Sequence, residues 1–320
     1  MAPDELPPSK SNAPLIWLIA WDGSPSSDCA LLFALDLHCH GDKLIVYHCS
    51  NPGRHVAAGK LDDSFHQSAM QERLKSMLKK AGDGEDVHKI YEVFDEKVAG
   101  HDDAIAERIL MASEEHQADV LCLGSSGYKG SDSRSFQKYA LGKAAHQALL
   151  HSRAACVILA RPGSVSPRHG KISFICGMDA ASYASMTLDT ASRLARSCDE
   201  IIVRAFDDGH LDESVFQKYA QTLGKLVGSG ALDDYAVVPH QVARSDAAQI
   251  AERLTQQASF TPGTSLIVFG AGSDGHCSAV DYHPTSMERM LSDVAQQCVL
   301  KTDTTSLIIC NRPFGVPVSK

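Results

Sequence analysis

Short apolar runs alternate with helix-spaced segments along this chain, separated by turns rich in Gly, Pro, Ser or Asp. Leu15 to Trp21 (LIWLIAW) is apolar on both faces and is bounded by Pro14 and by Asp22-Gly23-Ser24-Pro25. Such a run suits a central strand of a parallel sheet covered by helices on both sides. Ser26 or Ser27 is placed to cap the next helix, which runs through about His38, and Gly41 to end it. Leu44 to Cys49 reads as a second strand, Phe65 to Lys80 as a helix carrying Met70, Leu74, Met77 and Leu78, and Ile90 to Phe94 as a short strand. Asp103 to His116 places Ile105, Ile109 and Leu110 on one helical face. Val120 to Leu123 is a strand that ends in a Gly/Ser loop, Ala144 to Leu150 is helical, and Cys156 to Ala160 is the last strand before Arg161-Pro162.

The order β-α-β-α-β-α-β-α-β builds an open parallel sheet with helices on both faces. It recurs after Pro162 to Gly170, a linker rich in Pro, Gly and Ser. Strands are expected at Ile172 to Gly177, Ile201 to Phe206, Tyr235 to Val238, Leu266 to Phe269 and Leu307 to Cys310. Helices are expected at Ser182 to Arg196, Glu213 to Val227, Ala247 to Gln257 and Met287 to Cys298. The two Arg-Pro pairs lie 151 residues apart, Asp22 and Asp179 157, and the post-strand Gly124 and Gly270 146. Similar offsets across a whole half indicate duplication with small insertions. The expected class is therefore α/β: two tandem, doubly wound, five-stranded parallel sheets. Residues 1–14 form a leader, 15–162 and 171–313 the domains, 163–170 the linker and 314–320 a tail.

Composition narrows the function. The 320 residues are 44% hydrophobic and 22% charged, as in a globular chain, with aromatics at only 6%. A net charge of -9 argues against broad binding to nucleic acid or to an anionic membrane. The leader lacks the basic start and apolar stretch of a signal peptide, and Leu15 to Trp21 is too short to cross a bilayer. Ten cysteines are scattered without a CxxC pair, and four of them lie in apolar strands, which fits a reducing, cytoplasmic setting.

The strongest chemical signal is Gly124-Ser125-Ser126-Gly127 after the fourth strand, followed by Gly142-Lys143 at the mouth of a helix. Without Cβ atoms the backbone can approach an anion closely. N–H groups at a helix start then face a phosphate in a favourable dipole field. Ser125 and Ser126 add hydroxyl donors and Lys143 a cation. The plainer reading is that a βα loop uses Gly and Ser only to turn. Lys143 is either a phosphate partner or an ordinary solvated lysine. Asp22, at a strand's carboxyl end, either lines a ligand crevice or opens a turn.

Taken together, these features resemble the universal stress protein family. Asp22-Gly23-Ser24 matches the end of its first strand, Val46-Tyr47-His48-Cys49 the end of its second, and Gly124-Ser125-Ser126-Gly127 its Gly-x-x-Gly loop. The resemblance covers Leu15 to Pro162 and, more faintly, Lys171 to Pro313. It implies ATP or AMP, with or without Mg²⁺, bound beside Asp22, Gly23, Ser24 and Cys49, with phosphates against Gly124, Ser125, Ser126, Gly127, Gly142 and Lys143. It also implies a stress or energy sensor rather than an enzyme, and an intramolecular pseudo-dimer of the two domains. Two departures stand out. The fourteen residues Tyr128 to Leu141 separate Gly127 from Gly142 where nucleotide-binding members have nine, and Lys143 replaces Ser or Thr. The extra length either makes a flap or displaces the loop.

The second half has lost the pattern: Gly270-Ala271-Gly272-Ser273 places Ser at the second glycine, and counting from Arg312 places Asp293 at the position of Gly142. A carboxylate there repels phosphate. The groups Asp274, His276, Cys277, Asp281, His283 and His38-Cys39-His40 with His48-Cys49 have no spacing diagnostic of zinc, so no metal site is expected. Neither a P-loop nor a hydrolase triad is present. The alternative function is a module that binds no nucleotide and acts as an interaction or scaffold surface in a larger assembly.

Overall fold

A computed structural model describes residues 13–50, 67–81, 88–93, 104–126, 141–162, 170–178, 183–207, 213–241, 246–261, 263–270, 293–302 and 305–315. The chain divides into two compact units, Pro14–Gly163 and the remainder. The first unit runs β1 Ile16–Ala20, α1 Pro25–Leu37, β2 Lys43–Ser50, α2 Gln67–Ala81, β3 His88–Val93, α3 Ala104–Glu115, β4 Val120–Gly124, α4 Lys143–His151 and β5 Cys156–Ala160. Its strands lie in the order β3-β2-β1-β4-β5, and every neighbouring pair is parallel. Trp17, Leu18 and Ile19 of β1 are fully buried, as a central strand covered on both faces requires.

The second unit contains β6 Ile172–Met178, α5 Tyr183–Leu194, β7 Glu200–Asp207, α6 Glu213–Gly228, β8 Asp234–Gln241, α7 Ala247–Phe260, β9 Thr264–Gly270, α8 Asp293–Lys301 and β10 Ser306–Cys310. Its order, β8-β7-β6-β9-β10, repeats the first, again parallel throughout. Pro239 sits in β8, the edge strand, where a missing N–H does least harm to the ladder.

A hydrogen-bonded clasp shows the duplication more sharply than the strand order does. In the first unit Asp42, just before β2, accepts from Leu15 N at 2.8 Å and from Cys39 N at 2.9 Å. In the second, Asp199, just before β7, accepts from Ile172 N at 2.8 Å and from Arg196 N at 2.8 Å. Each of these three positions recurs at the 157-residue offset of Asp22 and Asp179. The carboxylate satisfies the leading N–H of the first strand and closes the turn into the second. The remaining valence differs: Trp17 Nε1 donates to Asp42 at 3.0 Å, whereas the Arg196 guanidinium donates to Asp199 at 2.8 and 2.9 Å.

Several boundaries correct the sequence reading. Helix α1 is capped by Ser24, not by Ser26 or Ser27; its hydroxyl accepts from Ser27 N at 3.3 Å, and Pro25 follows at the first turn. The cause is Gly23, whose φ of +76° turns the chain sharply after the strand and delivers Ser24 already extended. Gly41 does not end α1, which stops at Leu37 with His38 as the cap. It serves the turn into β2 instead, at φ +96°, beside the carboxylate of Asp42. Helix α8 is described from Asp293, 150 residues after the start of α4, and β10 begins 150 after β5. Asp293 therefore matches Lys143 rather than Gly142, because Arg312 lies one residue further from its strand than Arg161 does.

Candidate functional site

In the first unit the chain leaves β1 towards β2 on one side and later returns to β4 on the other. The carboxyl ends of β1 and β4 thus flank the topological switch point, where open α/β sheets bind their ligands. Here Trp21 N continues the ladder to Tyr47 O at 2.9 Å, and the next residue, Asp22, closes a turn by accepting from Ser24 N at 2.9 Å. Asp22 N donates to Ser27 Oγ at 3.3 Å. Asp22 is half-buried at the mouth of the crevice.

The loop after β4 is tied to this turn. Ser24 Oγ donates to Ser126 O at 3.3 Å, and Ser26 Oγ donates to the same carbonyl. Ser125 is buried; its N–H donates to Ala160 O at 2.7 Å and its carbonyl accepts from Gly142 N at 2.7 Å. That last bond fixes the mouth of α4 against the end of β4. Gly142 is the N-cap and offers no side-chain acceptor, and half-buried Lys143 is the first residue of the helix. The first-turn N–H groups of α4 thus lack the acceptor that Ser, Thr, Asp or Asn at the cap supplies. A lysine at that end opposes the helix dipole unless an anion offsets it.

Beside the crevice, His48 of β2 is buried and hydrogen-bonds through Nδ1 to Trp21 O at 2.8 Å. A carbonyl only accepts, so Nδ1 carries the proton. The Trp21 ring meets His48 edge-on at 6.1 Å between centroids. Trp21 is itself held by Asp28, which accepts from its Nε1 at 2.8 Å and from Arg73 at 2.5 Å. Burial pushes the His48 imidazole below its ordinary value, opposed by the Trp21 carbonyl and by Asp22, so the ring is neutral at pH 7. Cys49, next along β2, is half-buried.

A pH dependence follows from His48. Its folded pKa lies below the unfolded one, so the unfolded chain takes up the proton first as pH falls. Stability is therefore full above the ordinary histidine value of about 6.5 and is lost below it, towards the folded pKa. His146 and His240 are shifted the same way by burial and contribute to the same slope. His48→Asn, which keeps an N–H for Trp21 O, is expected to make the slope of unfolding free energy shallower between about pH 7 and 5. Denaturant titrations across that range check it, and equal slopes in the variant and the parent protein would dismiss the assignment.

The structure brings Asp22, Gly23, Ser24, Gly124, Ser125, Ser126, Gly142 and Lys143 to one sheet edge, with Cys49 on the neighbouring strand. Gly127 and the stretch Tyr128 to Ala140 lie outside the described residues, as do Asp179 and the Asp274 to His283 cluster. Three of the residues gathered there have roles within the fold that the sequence reading did not assign. A Cβ on Gly124 would lie 2.6 Å from Ser27 N and 2.7 Å from Ser26 C, so its glycine admits the first turn of α1. Ser24 caps that helix, and both main-chain groups of Ser125 are engaged by β5 and α4. Sequence reasoning also missed Ser26 as a tie between loops and Trp21 as the partner of His48. The Ser-Ser pair after Pro25 was the available signal, and it was absorbed by the capping argument.

Residues 17–160 match the model of the universal stress protein family. The match lies within the N-terminal unit, which is similar to that family over most of its length. Among solved structures, the hypothetical protein MJ0577, described as a test case of structural genomics for assigning biochemical function, matches at 16% identity. The match covers 46% of this chain and 94% of that one at a TM-score of 0.34. No curated protein is significantly similar. Among the described residues, no helix is long and apolar enough to cross a membrane.

Proposed function

We propose that the N-terminal unit binds an adenine nucleotide, ATP or AMP, at the β1/β4 switch point and acts as a stress or energy-state sensor. The observation that carries this reading is the mouth of α4. Its cap offers no side chain, its first residue is Lys143, and the Gly142–Ser125 bond aims it at the crevice that Asp22 borders. A phosphate there would accept from the first-turn N–H groups and take up the positive charge of the lysine. Adenine would lie beside Asp22 and Cys49, and Mg²⁺, if it accompanies the nucleotide, would find its protein oxygen ligand in Asp22. The role is binding rather than catalysis, and His48, beside the crevice, is committed to Trp21 O and neutral. The nucleotide-bound and free states of the 128–141 stretch would be what a partner reads.

One observation favours the alternative, an interaction or scaffold module without nucleotide. The hydroxyls of Ser24 and Ser26 are spent on Ser126 O, so the two loops hold each other without a ligand. Isothermal titration with ATP and Mg²⁺ separates the readings. Binding in the micromolar range, abolished by both Gly127→Asp and Gly142→Asp, supports the sensor. A folded protein that takes up no ATP at millimolar concentration leaves the scaffold reading in its place.

A further inference from the structure

We propose that the C-terminal unit holds a site for a phosphate-type oxyanion, formed by Arg204 of β7, His240 of β8 and Arg253 of α7. The register of the edge pair sets it up. Phe206 lies opposite His240, and Arg204 is two residues back along β7 on the same face. The His240 ring stacks on Phe206 with centroids 5.5 Å apart and planes 21° apart. Arg204 Nη1 then meets His240 Nε2 at 2.5 Å. A guanidinium only donates, so Nε2 accepts and the imidazole is neutral, with its proton on Nδ1. The second guanidinium, Arg253, stands on the exposed surface of α7, close enough for its charge to act on both.

Three features mark this cluster. Arg204 Nε, like Arg193 Nε, is buried without a hydrogen-bond partner, although buried N–H groups are almost always paired. Among the described residues no carboxylate pairs with Arg204, His240 or Arg253, whereas part-buried Arg196 and exposed Lys171 are matched by Asp199, Glu200 and Asp233. Arg204 and His240 are each held below their ordinary proton affinity by burial and by the neighbouring guanidinium. An oxyanion beside Arg204, in the field that Arg253 adds, supplies the missing negative charge. The planar fork of arginine suits a tetrahedral anion better than a lysine would. The half-exposure of Arg204 and His240 and the exposure of Arg253 leave the site open to solvent.

Proton linkage follows from the same geometry. Among the described residues, the charged groups acting on His240 are Arg204 of β7 and Arg253 of α7. An anion that screens them raises the affinity of the imidazole for a proton, so binding takes up a proton and tightens as pH falls towards about 6. Sulfate is the probe, because its charge is fixed in this range. The full-length chain is titrated with sodium sulfate against sodium chloride at matched ionic strength, following the His240 ring signals by NMR, assigned with His240→Gln. Saturable shifts with sulfate alone are expected, with an upward move of the His240 titration. Arg253→Met, at an exposed position, and Arg204→Met are each expected to weaken sulfate at least tenfold, Arg204→Lys by less. ATP binding by the first unit is expected to be unchanged in all three. Shifts that grow linearly with salt and match chloride overturn the site, as does saturation that survives Arg253→Met in a protein whose circular dichroism is unaltered.

Discussion

Asp199→Ala is expected to destabilise the C-terminal unit by about 3–5 kcal/mol, the loss seen when one partner of a buried ion pair is removed. The carboxylate is fully buried and receives the N–H groups of Ile172 and Arg196 and two donors from the Arg196 guanidinium. Truncation leaves all four without their acceptor, at the point where β6 begins and the chain turns into β7. Arg196 also donates to Gly170 O at 2.6 Å, so the start of the unit loosens with it. Asp199→Asn keeps the volume and one acceptor and is expected to lose less. Urea unfolding followed by far-UV circular dichroism measures both. A loss below about 1 kcal/mol for the alanine variant, the level of an exposed pair, would show that water replaces the clasp. The equivalent Asp42 is only half-buried, so its alanine variant is expected to lose less than Asp199→Ala.

Gly124→Ala is expected to cost the N-terminal unit about 1–3 kcal/mol, towards the upper end, by overpacking. The added methyl would meet backbone atoms of Ser26 and Ser27 at 2.6 and 2.7 Å, and backbone at a helix's first turn has no rotamer through which to retreat. The helix must shift, and the bonds from Ser24 and Ser26 to Ser126 O stretch with it. Trp17 and Trp21, the two tryptophans of the chain, both lie in this unit, so fluorescence reports its unfolding directly. An unchanged midpoint would mean that α1 can move freely against β4. Loss of nucleotide binding in this variant alone would not identify Gly124 as a phosphate contact, because displacement of the Ser125–Ser126 loop has the same effect. Gly142→Asp places a carboxylate at the mouth of α4 and tests the phosphate position by charge.

The alternation of strands and helices was legible because each side chain's face is set by local period. Residues apolar on every side, as in Leu15 to Trp21, admit few places other than the middle of a covered sheet. The duplication was legible in offsets, and the 157-residue spacing proved to be that of a carboxylate clasp which no motif announces. Lys143 and its alignment were less legible. Counting back from Arg312 slipped by one residue, because the turn after β10 is one longer than the turn after β5, and only strand pairing fixes such a register. The residues that carry the family resemblance fall together at one sheet edge, since a motif at strand ends goes wherever the strands go.

The chain's own order of residues thus determined two doubly wound units and the succession of strands and helices in each, because these follow from local pattern and from the handedness of βαβ connections. The tertiary structure alone decided what each residue at that edge does. Gly124 admits a helix, Ser24 and Ser26 bind a neighbouring loop, and His48 is neutral because burial outweighs Asp22. It also decided that Arg204 and His240, 36 residues apart and part of no motif, meet across the β7–β8 pair. Those outcomes depend on distances between segments separated by tens of residues, and a distance of that kind exists only once the sheet has formed.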